Sequence, residues 1–309
     1  MRALSLDGPH RVALVEAPVP NAPGECLIRV RAAGICGTDL QMIDGYADYR
    51  GIFGHEFVGT VERSSSPADA HWVGRRVVGE INVGCGSCGW CRSRVKEHCQ
   101  HRTVLGIRER AGSFAEYLSL PAANLHEVPD AVEDRAAVFV EPVAAACRIL
   151  EQVAMQPKAR LAVLGDGRMG ILTAQVLRTV VPAVTLIGRH DRKLAVARSL
   201  GIATMRVDES GGHQFDIVVD ATGRVDGLTA ALTLVRPLGT IVLKSTTHGE
   251  TAAALWPVVV HEVTVVGSRC GPFARAIDLL AGGSGVGAAA HRRQLRARRS
   301  RRGVPRGAA

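Results

Sequence analysis

Four cysteines, Cys85, Cys88, Cys91 and Cys99, lie in the run CGSCGWCRSRVKEHC, and a CxxCxxCx7C spacing makes its stretch of chain wrap around one tetrahedral ion. The N-terminal segment MRALSLDGPHRVALVE alternates like a strand and has neither the apolar run nor the small-residue cleavage site of a secretory signal. A cytoplasmic protein with reduced thiols is therefore expected, and closely spaced reduced thiols favour a metal over a disulfide. Four sulfurs saturate zinc and leave no position for a substrate. The lobe at about 84–100 is thus expected to brace the fold, with any chemistry elsewhere.

At 309 residues the chain exceeds the usual size of one core, so two domains are expected. Residues 1 to about 130 read as short strands broken by Gly, Pro and Asp: ALSL, RVALVEA, ECLIRVRAAGIC, HEFVGTVERS, RRVVGEINV and AEYLSL. From about 150 the pattern becomes apolar strand, glycine turn and helix, in RLAVLG, RMGILTAQVLRTV, VTLIGR and RKLAVARSLG. FDIVVDATG, GTIVLKS and EVTVVGS are further buried-strand candidates, with the helical stretch DGLTAALTLVR before GTIVLKS. The fold class is α/β: a β-rich domain over 1–149 and a doubly wound parallel sheet over 150–282.

GDGRMG, from Gly165 to Gly170, follows the strand RLAVL and opens an apolar-periodic helix. In that setting Gly165 permits the tight turn, Gly167 lets the backbone approach a pyrophosphate, and Gly170 allows helix and strand to pack closely. The helix N-terminus, with its free N–H groups, favours the anion. Arg168 and Met169 in the turn and Thr222 after FDIVVD complete the expected cofactor site. At the end of the second strand, where an NAD site places Asp or Glu, this chain has Gly188, Arg189 and His190, with Arg192 and Lys193 nearby. Space and positive charge there favour NADP over NAD. Asp191 is the competing candidate for the ribose hydroxyls of NAD, although it is expected rather to cap the helix that begins beside it.

The net charge of +9 comes from one place. Eight of the 38 Lys and Arg residues lie beyond residue 290, and without them 30 basic residues face 29 acidic ones. The segment 283–309 is Gly/Ala-rich and then Arg-rich without helical or strand period, and is expected to be disordered. Arginine without lysine, beside Ala and Gly, matches GC-rich coding DNA read out of frame, so a frameshift or altered terminus near residue 283 is expected. Nucleic-acid binding is not expected, since the cysteine lobe has no interleaved aromatic and basic residues. No apolar run approaches the roughly 18 residues of a membrane span.

Three more segments carry ligand-type residues: GICGTD with Cys36, GHEFVGTV with His55 and Glu56, and VEPVAAA with Glu141. Together with the cysteine lobe and the dinucleotide turn in this order, they make residues 1 to about 280 resemble the zinc-dependent medium-chain dehydrogenase/reductase family, the alcohol, polyol and threonine dehydrogenase group. The resemblance implies a GroES-like catalytic domain beside a Rossmann domain, two zincs per chain, and a homodimer or homotetramer in which EVTVVGS pairs across a two-fold axis. It implies that Cys36, His55 and Glu141 hold the catalytic zinc, with water, substrate or Glu56 in the fourth position, and that Asp39 orients the His55 ring. Glu141 in place of Cys is similar to the polyol and sugar dehydrogenase branch. Thr38 matches the family's proton-relay position, whereas Gln41 stands where threonine dehydrogenases have a relay His, which argues against threonine.

The implied reaction is zinc-assisted hydride transfer between an alcohol or its carbonyl, such as a secondary alcohol, polyol or sugar-like hydroxyl, and the nicotinamide cofactor. The alternative is a family remnant that binds zinc or nucleotide without turnover. His10, His71, His98, His101 and His261 have no partner pattern, and Cys26, Cys147 and Cys270 are expected to be packing residues.

Overall fold

The computed structural model describes residues 1–246, 253–283 and 285–287. In the N-terminal half an antiparallel five-stranded sheet runs in the order Tyr117–Leu120, Cys26–Gly34, Glu56–Ser64, Arg76–Gly79 and Leu125–Glu127. Its apolar face is visible in the alternation of Cys26, Ile28, Phe57, Val61, Val77, Leu118 and Leu120, which pack into one core. RRVVGEINV, read as one strand, divides into Arg76–Gly79 and Asn82–Val83, and the second piece joins a small sheet with Thr103–Leu105 and Glu109–Arg110.

The C-terminal half is a six-stranded parallel sheet in the order Ala203–Arg206, Val184–Gly188, Leu161–Leu164, Phe215–Asp220, Val235–Leu243 and Thr264–Gly267. Numbered along the chain this order is 3-2-1-4-5-6, the doubly wound arrangement whose strand direction of growth reverses beside the first strand. The helices Arg168–Arg178 and Asp191–Ser199 cover one face through Ala174, Leu177, Leu194 and Ala197, and Gly227–Leu232 covers the other through Ala231 and Leu232. LAVL is buried at all four positions, as a strand covered on both faces requires.

The boundary at 149/150 falls inside the helix Val140–Gln152, which belongs to both halves. Its Val140, Val143, Ala144 and Cys147 share a core with Val58 and Val78 of the first sheet, with Leu172 and Val176 of the glycine-turn helix, and with Phe273 and Ile277 of the helix Phe273–Ala281. Most of the 283–309 segment lies outside the described residues, and the frameshift and disorder expectations lie with it. Its first part differs from expectation: Val286 is buried in that same core, and the Gln175 side chain donates to the Gly285 carbonyl at 2.9 Å and accepts from the Gly287 N–H at 3.3 Å. Among the described residues no helix is long and apolar enough to cross a membrane.

Candidate active site

The register of two antiparallel strands builds the first part of the site. Gly34 pairs with Glu56, so the chain leaving the strand at Gly34 brings Cys36 beside His55, the residue before Glu56. One ligand atom each from Cys36, His55 and Glu56 lies within 4.8 Å of the others, a span that suits one metal ion. Cys36 precedes the helix Gly37–Ile43, and its N–H donates to Asp39 Oδ2 at 2.7 Å. The other carboxylate oxygen, Oδ1, is 3.4 Å from His55 Nδ1, with both side chains almost fully buried. Neither of these two atoms has a hydrogen-bond partner among the described residues, so Asp39 stands beside the ring at ion-pair distance and the remaining ring nitrogen of His55 is left for a metal. The donor set of a thiolate, an imidazole and a carboxylate fits zinc.

Glu141, the second residue of Val140–Gln152, lines the same cleft as Cys36, Thr38 and His55, but it is not part of the compact three-residue cluster. Burial raises its pKa, against the opposing influence of His55 and Lys244. Glu56 is pushed up to about 7 by burial and then by the charge of Glu141, with His55 and Arg168 acting in the opposite sense. Two buried carboxylates that repel each other beside a histidine and a thiol are a set that a divalent cation relieves. The Thr38 hydroxyl is 3.8 Å from Cys36 Sγ and faces the cleft. The Gln41 side chain donates to the Thr246 carbonyl at 3.3 Å and does not line that cleft.

The second cluster forms from local sequence. Cys85, Cys88, Cys91 and Cys99 each place a sulfur within 4.8 Å of the other three, and all eight cysteines are free. The Ser87 hydroxyl, 3.5 Å away, and the backbone N–H groups of Ser87 and Cys88 hold the Cys85 thiol down to about 5. Burial and the neighbouring thiols push Cys91 up to about 11. A first thiolate thus resists a second, and a bound cation removes the conflict.

Across the cleft, Gly165 has φ +117° and a Cβ there would lie 2.6 Å from the Ala221 carbonyl oxygen, while a Cβ on Gly170 would collide with the carbonyl of Gly165. The strand Leu161–Leu164 and the helix Arg168–Arg178 therefore approach as a dinucleotide turn demands. Gly170→Ala is expected to cost about 1–3 kcal/mol of stability by overpacking and to weaken dinucleotide binding at least tenfold, read from the urea midpoint and from fluorescence titration. Gly167 precedes the helix, Met169 reaches the cleft, and the Arg168 guanidinium donates to the Ile35 carbonyl, next to Cys36. Thr222 follows the strand Phe215–Asp220, and its hydroxyl donates to Asp220 Oδ1 at 2.7 Å.

At the second strand's end the space beside Gly188 is used differently from expectation. A Cβ at 188 would lie 2.6 Å from Asp166 Oδ2, so the room that glycine leaves accommodates the Asp166 side chain. That carboxylate, 7% exposed, accepts from the N–H groups of Arg189 and His190 at 2.8 and 2.7 Å, lies 2.9 Å from His190 Nδ1 and also meets Lys193 at 3.5 Å. Asp191 does not cap its helix: His190 occupies the cap position and Asp191 pairs with Arg206 at 2.8 Å. Cys26 and Cys147 are buried as expected, and Cys270 packs against the first sheet's core while also lining the cleft, where it accepts from Asn82 Nδ2 at 3.2 Å. Lys244, Arg102 and Arg269 also line the cleft and were not singled out by sequence. The position of Lys244 after a parallel strand is the signal that could have found it, because such sheets bind ligands at their carboxyl ends.

Metal-type ligands thus line one cleft of about 1030 Å³ that Met169 of the dinucleotide turn also reaches, which defines the class of metal-assisted, dinucleotide-dependent enzymes. Residues 22–130 match the alcohol dehydrogenase GroES-like domain and residues 169–282 the zinc-binding dehydrogenase domain. An erythritol/L-threitol dehydrogenase of Mycolicibacterium smegmatis is 30% identical over 88% of this chain and 84% of its own. Of the solved structures, the Escherichia coli alcohol dehydrogenase rspB complexed with NADH has a TM-score of 0.85 at 27% identity, covering 92% of this chain and 88% of its own. A Sinorhizobium meliloti zinc-binding dehydrogenase structure bound to NADP has a TM-score of 0.82 at 27% identity, covering 92% and 89%. The chain belongs to the zinc-dependent medium-chain dehydrogenase family and is an oxidoreductase of the alcohol dehydrogenase type.

Proposed function

We propose that this chain oxidises a secondary hydroxyl of a polyol or sugar-like substrate, and reduces the matching carbonyl, with NADP as the preferred cofactor and two zincs per chain. The observation that carries this reading is the shared cleft, in which Cys36, Thr38, His55 and Glu141 face Met169 of the glycine-turn helix. Cys36, His55 and Glu141, with Glu56 in reserve, would hold a zinc that would supply Lewis acidity toward the substrate oxygen, and a bound nicotinamide would be the hydride acceptor. The Thr38 hydroxyl would accept the substrate's hydroxyl proton and give its own to water in the cleft, while the C–H hydride would go to the oxidised cofactor, so that alcohol and oxidised cofactor become carbonyl, reduced cofactor and one proton. Asp39 holds the His55 ring in place throughout.

Support for NADP comes from the strand end. Asp166 is buried and saturated with hydrogen bonds, so it is not offered to ribose hydroxyls, and one oxygen of Asp191 is taken by Arg206. Arg189 remains half-exposed there, 3.9 Å from Asp226. Hydride transfer is tested by following reduced cofactor with zinc-loaded protein and a panel of polyols; no turnover with any of them counts against the reading. Arg189→Ala should lower the NADP-to-NAD ratio of kcat/KM about tenfold, the worth of roughly one charge-assisted hydrogen bond, and an unchanged ratio argues against this cofactor choice.

A homodimer is part of the same reading. Thr264–Gly267 is the last strand of its sheet, and Leu238, Trp256, Val259 and Val260 lie exposed near that edge. Light scattering should give twice the chain mass for the wild type and a single chain mass for Val260→Arg.

A further inference from the structure

The cleft collects basic side chains from segments far apart in the chain: Arg102 and Arg108 on one wall, Lys244 and Arg269 on the other. Most cations of this region are neutralised. Arg110 makes two hydrogen bonds to Glu25, at 2.8 and 2.9 Å, and Arg108 is 3.2 Å from Glu109. Arg102, Lys244 and Arg269 are different: among the described residues none of them has a carboxylate within 4.0 Å. They lean on neutral oxygens instead. Arg102 Nη1 donates to the Cys99 carbonyl at 3.0 Å, Arg269 Nη2 to Asn82 Oδ1 at 3.4 Å, and Lys244 Nζ to the Arg269 carbonyl at 2.5 Å.

The buried Nε–H of Arg102 has no acceptor among the described residues. Like charges held together in a partly dry cleft, with unspent donors, are a cost that a bound anion removes. The cofactor pyrophosphate belongs at the N-terminus of Arg168–Arg178, where none of the three residues lies.

We propose that Arg102, Lys244 and Arg269 form a subsite for an anionic group on the substrate, a phosphate monoester or a carboxylate, placed away from the hydroxyl that is oxidised. The substrate class is then a polyol phosphate or a sugar acid rather than a neutral polyol. This rests on the cleft being the substrate site of the proposed reaction. Arginine forks match both oxyanions, and three cations suit the dianion of a phosphate best.

The test compares, at neutral pH with zinc-loaded full chain, kcat/KM for galactitol, galactitol 1-phosphate and galactonate. The phosphate is expected to exceed the neutral polyol by about 100-fold, and Arg269→Gln or Lys244→Gln to lower that ratio about tenfold each, as the loss of a charged hydrogen bond implies. A larger gain for galactonate than for the phosphate assigns the subsite to carboxylates. Equal values for all three compounds, with no change of ratio in either variant, overturn the proposal. Calorimetric titration with inorganic phosphate separates this subsite from the reaction itself. Saturable binding in the wild type that weakens in Arg269→Gln upholds the subsite even where no alcohol is turned over, and absence of phosphate binding sinks it whatever the activity.

Discussion

Cys99→Ala is expected to remove one zinc from each chain and to lower the melting temperature by at least about 10 °C, since one kcal/mol is worth roughly 2–4 °C in a chain of this size. Cys99 is the buried member of the four-sulfur cluster, and its sulfur also accepts from the Cys85 N–H at 3.5 Å. The lobe around it has little else to hold it: a single-turn helix, Gly89–Arg92, and a 3-10 turn, Lys96–His98. Structural zinc in small peptides contributes on the order of 10 kcal/mol of apparent binding free energy, comparable to the whole stability of a typical domain.

The loss should spread into the catalytic half because the lobe is tied to it at two points. Lys96 Nζ is 2.7 Å from Glu80, whose other oxygen is 2.8 Å from His126, and Arg102 bonds the Cys99 carbonyl. The control is Cys147→Ala, which removes a buried sulfur with no part in either cluster and should cost only about 1–2 kcal/mol through a small cavity. Zinc counted by mass spectrometry, with calorimetry on the same samples, checks both. A Cys99→Ala chain that keeps its full zinc content contradicts the assignment of this cluster.

What could be read from sequence was what local spacing encodes. CGSCGWC and GDGRMG are short enough that chain geometry alone brings their residues together, and both formed as expected. FDIVVD and LAVL were legible because strands covered on both faces are apolar throughout. Ala203–Arg206 was missed because it is a half-exposed edge strand with no apolar run. Arg102, Lys244 and Arg269 meet only because the two halves close on one cleft, and no periodicity in the sequence records that meeting. The reading of Gly188 as free space failed for a related reason: the side chain that uses the space, Asp166, comes from the neighbouring turn. Asp191 was assigned by proximity to a helix start, whereas the salt bridge to Arg206 fixes where it points.

His55→Ala or Cys36→Ser is expected to lower kcat by about a thousandfold or more, because polarisation of the substrate oxygen by a bound metal is worth several kcal/mol and each 1.36 kcal/mol is tenfold in rate. Nicotinamide cofactor affinity should stay within a few-fold, since of the glycine turn and its helix only Met169 lines this cleft. The carboxylates carry the finer test. Glu56 is in the compact cluster with Cys36 and His55, while Glu141 lines the same cleft from the helix Val140–Gln152. With Glu141 as the resident ligand, Glu141→Gln should drop the zinc count from two to one per chain and abolish turnover. Glu56→Gln should then keep both zincs and slow the reaction more modestly, because it removes a charge that burial already pushes up to about 7. Asp39→Asn sits between them: it leaves the ligand atoms in place but loosens the His55 ring, and should weaken zinc binding by about 10–100-fold. Should Glu56→Gln lose the zinc and Glu141→Gln retain it, the carboxylate roles are reversed, and the compact three-residue cluster is itself the binding site.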